Sequence, residues 1–475
     1  MNKIVKYTAL SGLLFNLTAC KTPVVTQRSE KVNLPAAYPN PISVSENSAE
    51  LYRKQFFKDE YLLALIDTAL TNNQELNIML REIAIAKNEI QARKGEYLPF
   101  VNLRGGIGLD KGARYTTQGA LEEQGEIKPG KEIPEPMPDF LAGAFATWEV
   151  DIWHKLRNAT QASVKRYLAT DAGKNFMMTQ LVAEIANSYY ELLAMDKEME
   201  IINQYISIQN DALTVARLLK VSTRSNELAV KRFEAQLLKT RAMKYVIQQK
   251  TIEAENRINF LIGRYPQHVD RSSGMFEDVN PEIVHRGLPA ELLQNRPDIQ
   301  QAELELAARK LDVQVAKARF YPSLGLTAGV GLQAFNPVYL VKPQSILANI
   351  AGDMVGPLIN KRAITAEYNN ANARQIQAVF DYEKTILGAY IEVVNEVSNI
   401  KNLDSTYQLK AQEVEALSQS VTISNTLFKN ARADYLEVLL TQREALEMRF
   451  ELIETKMRRL AATVKLYKAL GGGWE

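Results

Sequence analysis

Residue types that act as nucleophiles, metal ligands or phosphate cradles are scarce in this chain and badly spaced for those tasks. The histidines are His154, His268 and His285, far apart. No His-Glu-x-x-His run, Cys-His cluster or Gly-x-x-x-x-Gly-Lys-Ser/Thr loop exists. Met195 and Met199 lie one helical turn apart and offer thioethers to a soft metal. Methionine in a helix usually packs, so no metal site is assigned to them. An enzyme is not expected, nor a cofactor beyond a covalent lipid. The position where covalent chemistry is expected is Cys20, the chain's one cysteine.

Lys3 and Lys6 give a positive start, residues 8–17 are mostly apolar, and Leu17-Thr18-Ala19-Cys20 follows. That is the order of an export signal, too short to span a membrane. Its end resembles a lipobox, in which cleavage leaves Cys20 as a lipid-bearing N-terminus. Lys21 in place of an aspartate points to the outer membrane.

Around these positions the chain is organised by repetition. Pro99 and Pro322 are 223 residues apart, and "YLPFVNLRGGIGL" aligns with "FYPSLGLTAGVGL". In the second copy Leu324, Leu326, Ala328, Val330, Leu332 and Ala334 alternate with small or polar residues, a strand period. In the first, Val101, Leu103, Gly105, Ile107 and Leu109 alternate with Asn102, Arg104, Gly106, Gly108 and Asp110. Each copy follows a helical stretch, and the prolines mark the joints, where a helix must end. A second strand follows in each half, "FLAGAFATWEV" after a loop at 111–138 and the weaker "SILANIAGDMVG" after "NPVYLVKP". Strands are expected near 100–110, 139–150, 322–335 and 345–356.

Long helical runs come next. No proline occurs between Pro138 and Pro266 or after Pro357, although Gly173 and Gly388 interrupt the runs. Polar breaks "VSTRSNEL" and "KNARADYL" match at an offset of 208 residues (Leu228 on Leu436). Each run is therefore a helix of about 65 residues, a turn, and a returning helix of about 35–40. No stretch of 18 apolar residues offers a spanning helix, but strands with one apolar and one small/polar face span membranes as barrels. Four strands cannot close, and an eight-stranded barrel fills with its own side chains. Three chains, giving four strands each, are the smallest assembly expected to leave an open pore. Lys plus Arg total 57 against 55 Asp plus Glu, which lends no support to a nucleic-acid partner.

The chain resembles the TolC-like outer-membrane efflux channels, particularly their lipid-anchored drug and metal efflux branch. "LPAELLQNRPDIQQAE" with Arg296, Pro297 and Asp298, "TWEVDIW", "ADYLEVLLTQREAL" and the terminal "YKALGGGW" carry the resemblance. It implies a mainly α fold with membrane β: an internally duplicated chain whose coiled-coil-like helices build a periplasmic α-barrel, below a trimeric 12-stranded outer-membrane β-barrel. It also implies a passive exit channel fed by an inner-membrane RND-type pump through a periplasmic adaptor (membrane fusion) protein. A type I protein-secretion exit duct is the alternative. A coiled-coil structural lipoprotein without a pore is less well supported by duplicated strands, and an adaptor would need only one hairpin.

On that resemblance, Glu437 and Asp434 are candidate periplasmic gate carboxylates, with Leu440 where relatives carry a second acid. Ser222, Thr223, Arg224, Asn430, Ala431 and Arg432 are candidate adaptor contacts. Relatives have glycine in the second turn, and Asn430 is expected to supply the left-handed backbone instead. Arg296, Pro297 and Asp298 are expected to be structural, with Pro297 at the first helical position and Asp298 at the positive end of the helix. Trp148 is a candidate for an interfacial aromatic girdle, with Trp153 at the same strand end. The expected division is a signal peptide at 1–19, a lipid-anchored segment at 20–60, repeats at 61–265 and 291–475, and a linker at 266–290.

Overall fold

The computed structural model describes residues 22–26, 28–39, 47–271, 275–278, 285–430 and 432–474. Cys20 and Ala431 lie outside them. The chain divides into two compact units, one dominated by Ala84–Leu168 and Leu304–Phe380, the other formed by Glu30–Ile83, Ala169–Glu303 and Asp381–Glu475.

The principal helices are α1 (Glu60–Asn72), α2 (Gln74–Tyr97), α3 (Lys155–Val221), α4 (Glu227–Leu261), α5 (Pro297–Ala318), α6 (Arg362–Lys429) and α7 (Tyr435–Leu470). The strands are β1 (Phe100–Asp110), β2 (Glu126–Lys128), β3 (Lys131–Glu132), β4 (Met137–Val150), β5 (Ser323–Ala334) and β6 (Ile346–Val355). The hairpins α3–α4 and α6–α7 have 67 and 35, and 68 and 36 residues. The fold is internally duplicated.

In the first unit β1, β4, β5 and β6 form one antiparallel sheet in that order. Register sets its two faces, because residues paired directly across strands share a side. Ile107 pairs with Phe140, Ala146 with Ala328, Val330 with Ala348, and Leu324 with Met354, so one face is apolar throughout. Asn102 pairs with Phe145, Gly325 with Asp353 and Gly329 with Asn349 on the other. The loop at 111–136 is more ordered than its composition implies. It holds a helix, Thr117–Gln124, capped by the Thr116 hydroxyl, and the β2–β3 hairpin. Ion pairs from Arg114 to Glu123 and Glu135 tie it together.

In the second unit the core joins Leu62 and Ile66 of α1, Tyr189 and Ile202 of α3, Ile258 of α4 and Tyr467 of α7. Each such fully buried side chain contributes about 1.5–3 kcal/mol. Near the turns a second cluster packs Leu213, Phe233, Phe428 and Val438 from all four hairpin helices. Two sequence expectations fail informatively. Gly173 and Gly388 do not interrupt their helices. At Gly173 a Cβ would meet the end of the Gln301 side chain of α5 at 3.0–3.2 Å.

Candidate functional site

The polar face of the sheet is built from alternate residues of four strands. Toward one end Gln333 donates to both oxygens of Asp139 at 2.9 and 3.1 Å. Toward the other Lys155 donates to Glu149 at 2.5 Å, and Asp353 sits opposite Gly325. Between them the face is mostly small: Gly143 pairs with Gly331, and a Cβ on either would come within 2.8 Å of the other's backbone. Both edge strands, β1 and β6, lack a second partner strand among the described residues. All of β1 is exposed, as is nearly all of β6. A sheet with one apolar face and two open edges requires further strands if the apolar face meets lipid.

The helix-to-strand joints are fixed by the residues singled out for them. α2 ends at Tyr97 and β1 begins after Pro99, while α5 ends at Ala318 and β5 begins after Pro322. Trp148, on the apolar face, donates its indole N–H to the Tyr97 carbonyl at 2.9 Å. Trp153 donates to the Pro322 carbonyl at 2.7 Å and stacks on Tyr321 with centroids 4.7 Å apart. At the return joints Asp151, buried, accepts from the amides of Leu156 and Arg157 at the start of α3. His154 and Asn360 hold equivalent left-handed backbones, each with φ 57°. Sequence inspection missed this pairing, although "WHK" over "INK" carries it.

Arg296 is 5% exposed. Its guanidinium grips Asp298 through two bonds of 3.0 and 2.8 Å, Glu392 of α6 at 2.8 Å and the Ala469 carbonyl of α7 at 2.7 Å. Pro297 begins α5, where its missing N–H costs nothing. Asp298 accepts from the Ile299 amide. The run thus ties three helices together through one planar fork. Gly471 closes α7 with φ 100°, and a side chain there would collide with the Asn295 carbonyl.

The hairpin turns share one backbone device. The Arg224 amide donates to the Leu219 carbonyl at 2.9 Å, and the Arg432 amide to that of Leu427 at 2.8 Å, equivalents at the 208-residue offset. The left-handed residue of the first turn is Thr223, φ 58°. Asn430, expected to supply such a backbone in the second turn, does not. Its side chain bonds the Thr426 carbonyl. Ser222, Thr223, Arg224, Asn430 and Arg432 are exposed. So are the equivalent Leu228 and Leu436, 54% and 51%, which leaves apolar surface at both turns.

Asp434 is the N-cap of α7, its carboxylate accepting weakly from the Leu436 amide at 3.5 Å. Glu437 lies in the first turn, exposed. Leu440 follows on the same side, and the row continues through Glu444 and Glu447, both exposed. The last two were overlooked, though the i, i+3, i+4 spacing contains them. Met195 and Met199 belong to the main core and its margin. No metal-holding group of three or more His, Cys, Asp or Glu exists among the described residues.

The sequence pattern of the outer membrane efflux protein family matches residues 65–264 and 288–472. The pyoverdine export outer membrane protein OpmQ of Pseudomonas aeruginosa is 26% identical over 87% of this chain and 85% of its own length. The cation efflux system protein CusC of Escherichia coli is 26% identical over 92% and 93%. The open-state MtrE outer membrane channel of Neisseria gonorrhoeae superposes with a TM-score of 0.83 at 22% identity, covering 96% of this chain and 99% of that one.

Proposed function

The chain belongs to the outer membrane efflux protein family, and from that premise we propose that three copies form one continuous exit duct. The protein is an outer-membrane efflux channel protein with no enzymatic role in that family. The observation that carries the trimer is the open four-stranded sheet with its apolar face and free edges. β6 runs opposite to β1, so β6 of one copy laid against β1 of the next keeps every pair antiparallel. Three sheets of four strands then close a barrel of twelve, with the polar face to water and the apolar face to lipid.

In this reading the hairpins continue the duct into the periplasm. The turns, with exposed Leu228 and Leu436 beside Arg224 and Arg432, meet a periplasmic adaptor that couples the duct to an inner-membrane RND-type pump. Asp434 and Glu437 line the periplasmic aperture, where three copies of each would repel one another and attract cations. Cys20 carries the lipid, after removal of residues 1–19, and residues 20–60 lead to repeats at 61–265 and 291–475 joined by 266–290. Relatives are named for pyoverdine export and for cation efflux, so cargo is a property to be assigned within this framework.

The test is the native mass of the detergent-extracted protein recovered from the outer-membrane fraction. About three lipid-bearing chains are expected. A stable monomer in mild detergent would overturn the shared barrel.

A further inference from the structure

Apolar side chains interrupt the polar face at Leu141, Leu347 and Val355, and two further interruptions are aromatic, Phe100 and Phe145. Phe100 pairs directly with Thr147, and Asn102 with Phe145. Both rings therefore belong to the polar side, among Asn102, Asn349 and the glycines. They are diagonal neighbours across β1 and β4, within reach for aromatic side chains. Phe100 is 65% exposed. Phe145 lies over a gap made for it: a Cβ at Gly329, its partner on β5, would sit 2.7 and 2.9 Å from its ring carbons, and one at Gly143 3.3 Å. The glycines let the ring lie against the sheet wall.

Carboxylates flank the aromatic level. Glu149 follows Thr147 by two residues on the same face, and Asp353 lies across β5 at the level of Gly325. We propose that Phe100 and Phe145, repeated by the threefold assembly, form an aromatic collar inside the barrel that contacts aromatic organic cations in transit. The collar rests on the trimeric-duct reading and supplies it with a cargo class. The flat faces give stacking and cation–π attraction; on the same face Asp353 adds negative charge, Glu149 is paired with Lys155, and Arg104 lies opposite Gly143. Phe100 and Phe145 are specificity-determining residues for passage; neither does chemistry.

The experiment uses the full-length lipidated protein in planar bilayers, with tetraphenylphosphonium added on the barrel side while potassium current is recorded. Wild type is expected to be blocked. In Phe100→Ala/Phe145→Ala the half-blocking concentration, read against that variant's own unblocked potassium current, should rise ~10-fold or more. Phe145→Leu, which keeps bulk and removes the π face, should show an intermediate loss. Equal block in wild type and the double variant would overturn the collar and leave the duct standing. A stable monomer in the native-mass measurement would sink the duct reading, and the collar with it. If the double variant does not assemble, Phe145→Leu alone decides: unchanged block refutes the proposal.

Discussion

Replacing Arg296 with alanine removes a cation that is 5% exposed and bonded to two carboxylates and a helix-terminal carbonyl. Asp298 and Glu392 would remain half-desolvated without their partner, and the Ala469 carbonyl would lose its donor. Breaking a buried pair from one side costs about 3–5 kcal/mol. At 1.4 kcal/mol per decade that is roughly a hundred- to several-thousand-fold in a local opening equilibrium. The amides to watch are Gly471 and Gly472, which donate to the carbonyls of Lys468 and Tyr467 at 2.9 and 3.0 Å. Hydrogen exchange of the detergent-purified protein should show their protection falling by ~10²-fold or more, the lower end of that range. The α3–α4 turn should be unaffected. Arg296→Lys keeps the charge but not the fork and should recover only part of the loss. Protection at Gly471 and Gly472 within threefold of wild type in a folded Arg296→Ala protein would refute the reasoning. The run would then be a sequence habit without a clasping role.

Thr223→Asn should stabilise the first turn by about 1 kcal/mol, because a β-branched residue at φ 58° is strained and asparagine tolerates that backbone. Slower exchange of the Arg224 amide would report it, and faster exchange would contradict it. Burial lifts the Glu198 carboxyl above its usual range, with Lys250 opposing and Glu454 adding to the shift. A raised folded-state pKa means the charged form costs stability above that pKa, and the cost fades as pH falls toward the unfolded value near ~4.3. Glu198→Gln should therefore raise the thermal midpoint at pH 7.5 and give no gain near pH 4; a gain independent of pH would exclude this cause.

The hairpins could be read from the sequence because their signal is redundant: long proline-free runs of helix formers, broken at equivalent points. The strands could be read because period two survives in β1, β4 and β5. β6 was the weak case, since Leu347, Ala351 and Val355 on its polar side dilute its contrast. What sequence alone did not yield was whatever depends on a neighbour. Period two alone puts Phe145 on the small/polar side of its strand, but only the register with β1 and β5 shows Asn102 and Gly329 beside it. Gly173 read as a helix break because glycine weakens a helix when taken alone, whereas Gln301 of α5, distant in sequence, packs over it. Thr223 bears no mark of a left-handed backbone, since threonine seldom adopts one. The acidic row on α7 is legible at Asp434 and Glu437 but is broken by Leu440 before it resumes at Glu444 and Glu447.

Parity in the sheet has a consequence for how such a chain can change in length. One residue deleted from β5 would carry Leu324, Leu326 and Val330 to the watery side and Thr327 and Gln333 into lipid. Point substitution is therefore the route by which the barrel interior diversifies, while gaps and insertions are confined to places without a side to keep. The two connections already differ in this way, spanning residues 111–136 in the first half and 335–345 in the second. An epitope for surface labelling belongs at Gly130, in the β2–β3 turn. There φ is 79°, and nothing lies within 4 Å of where a side chain would begin.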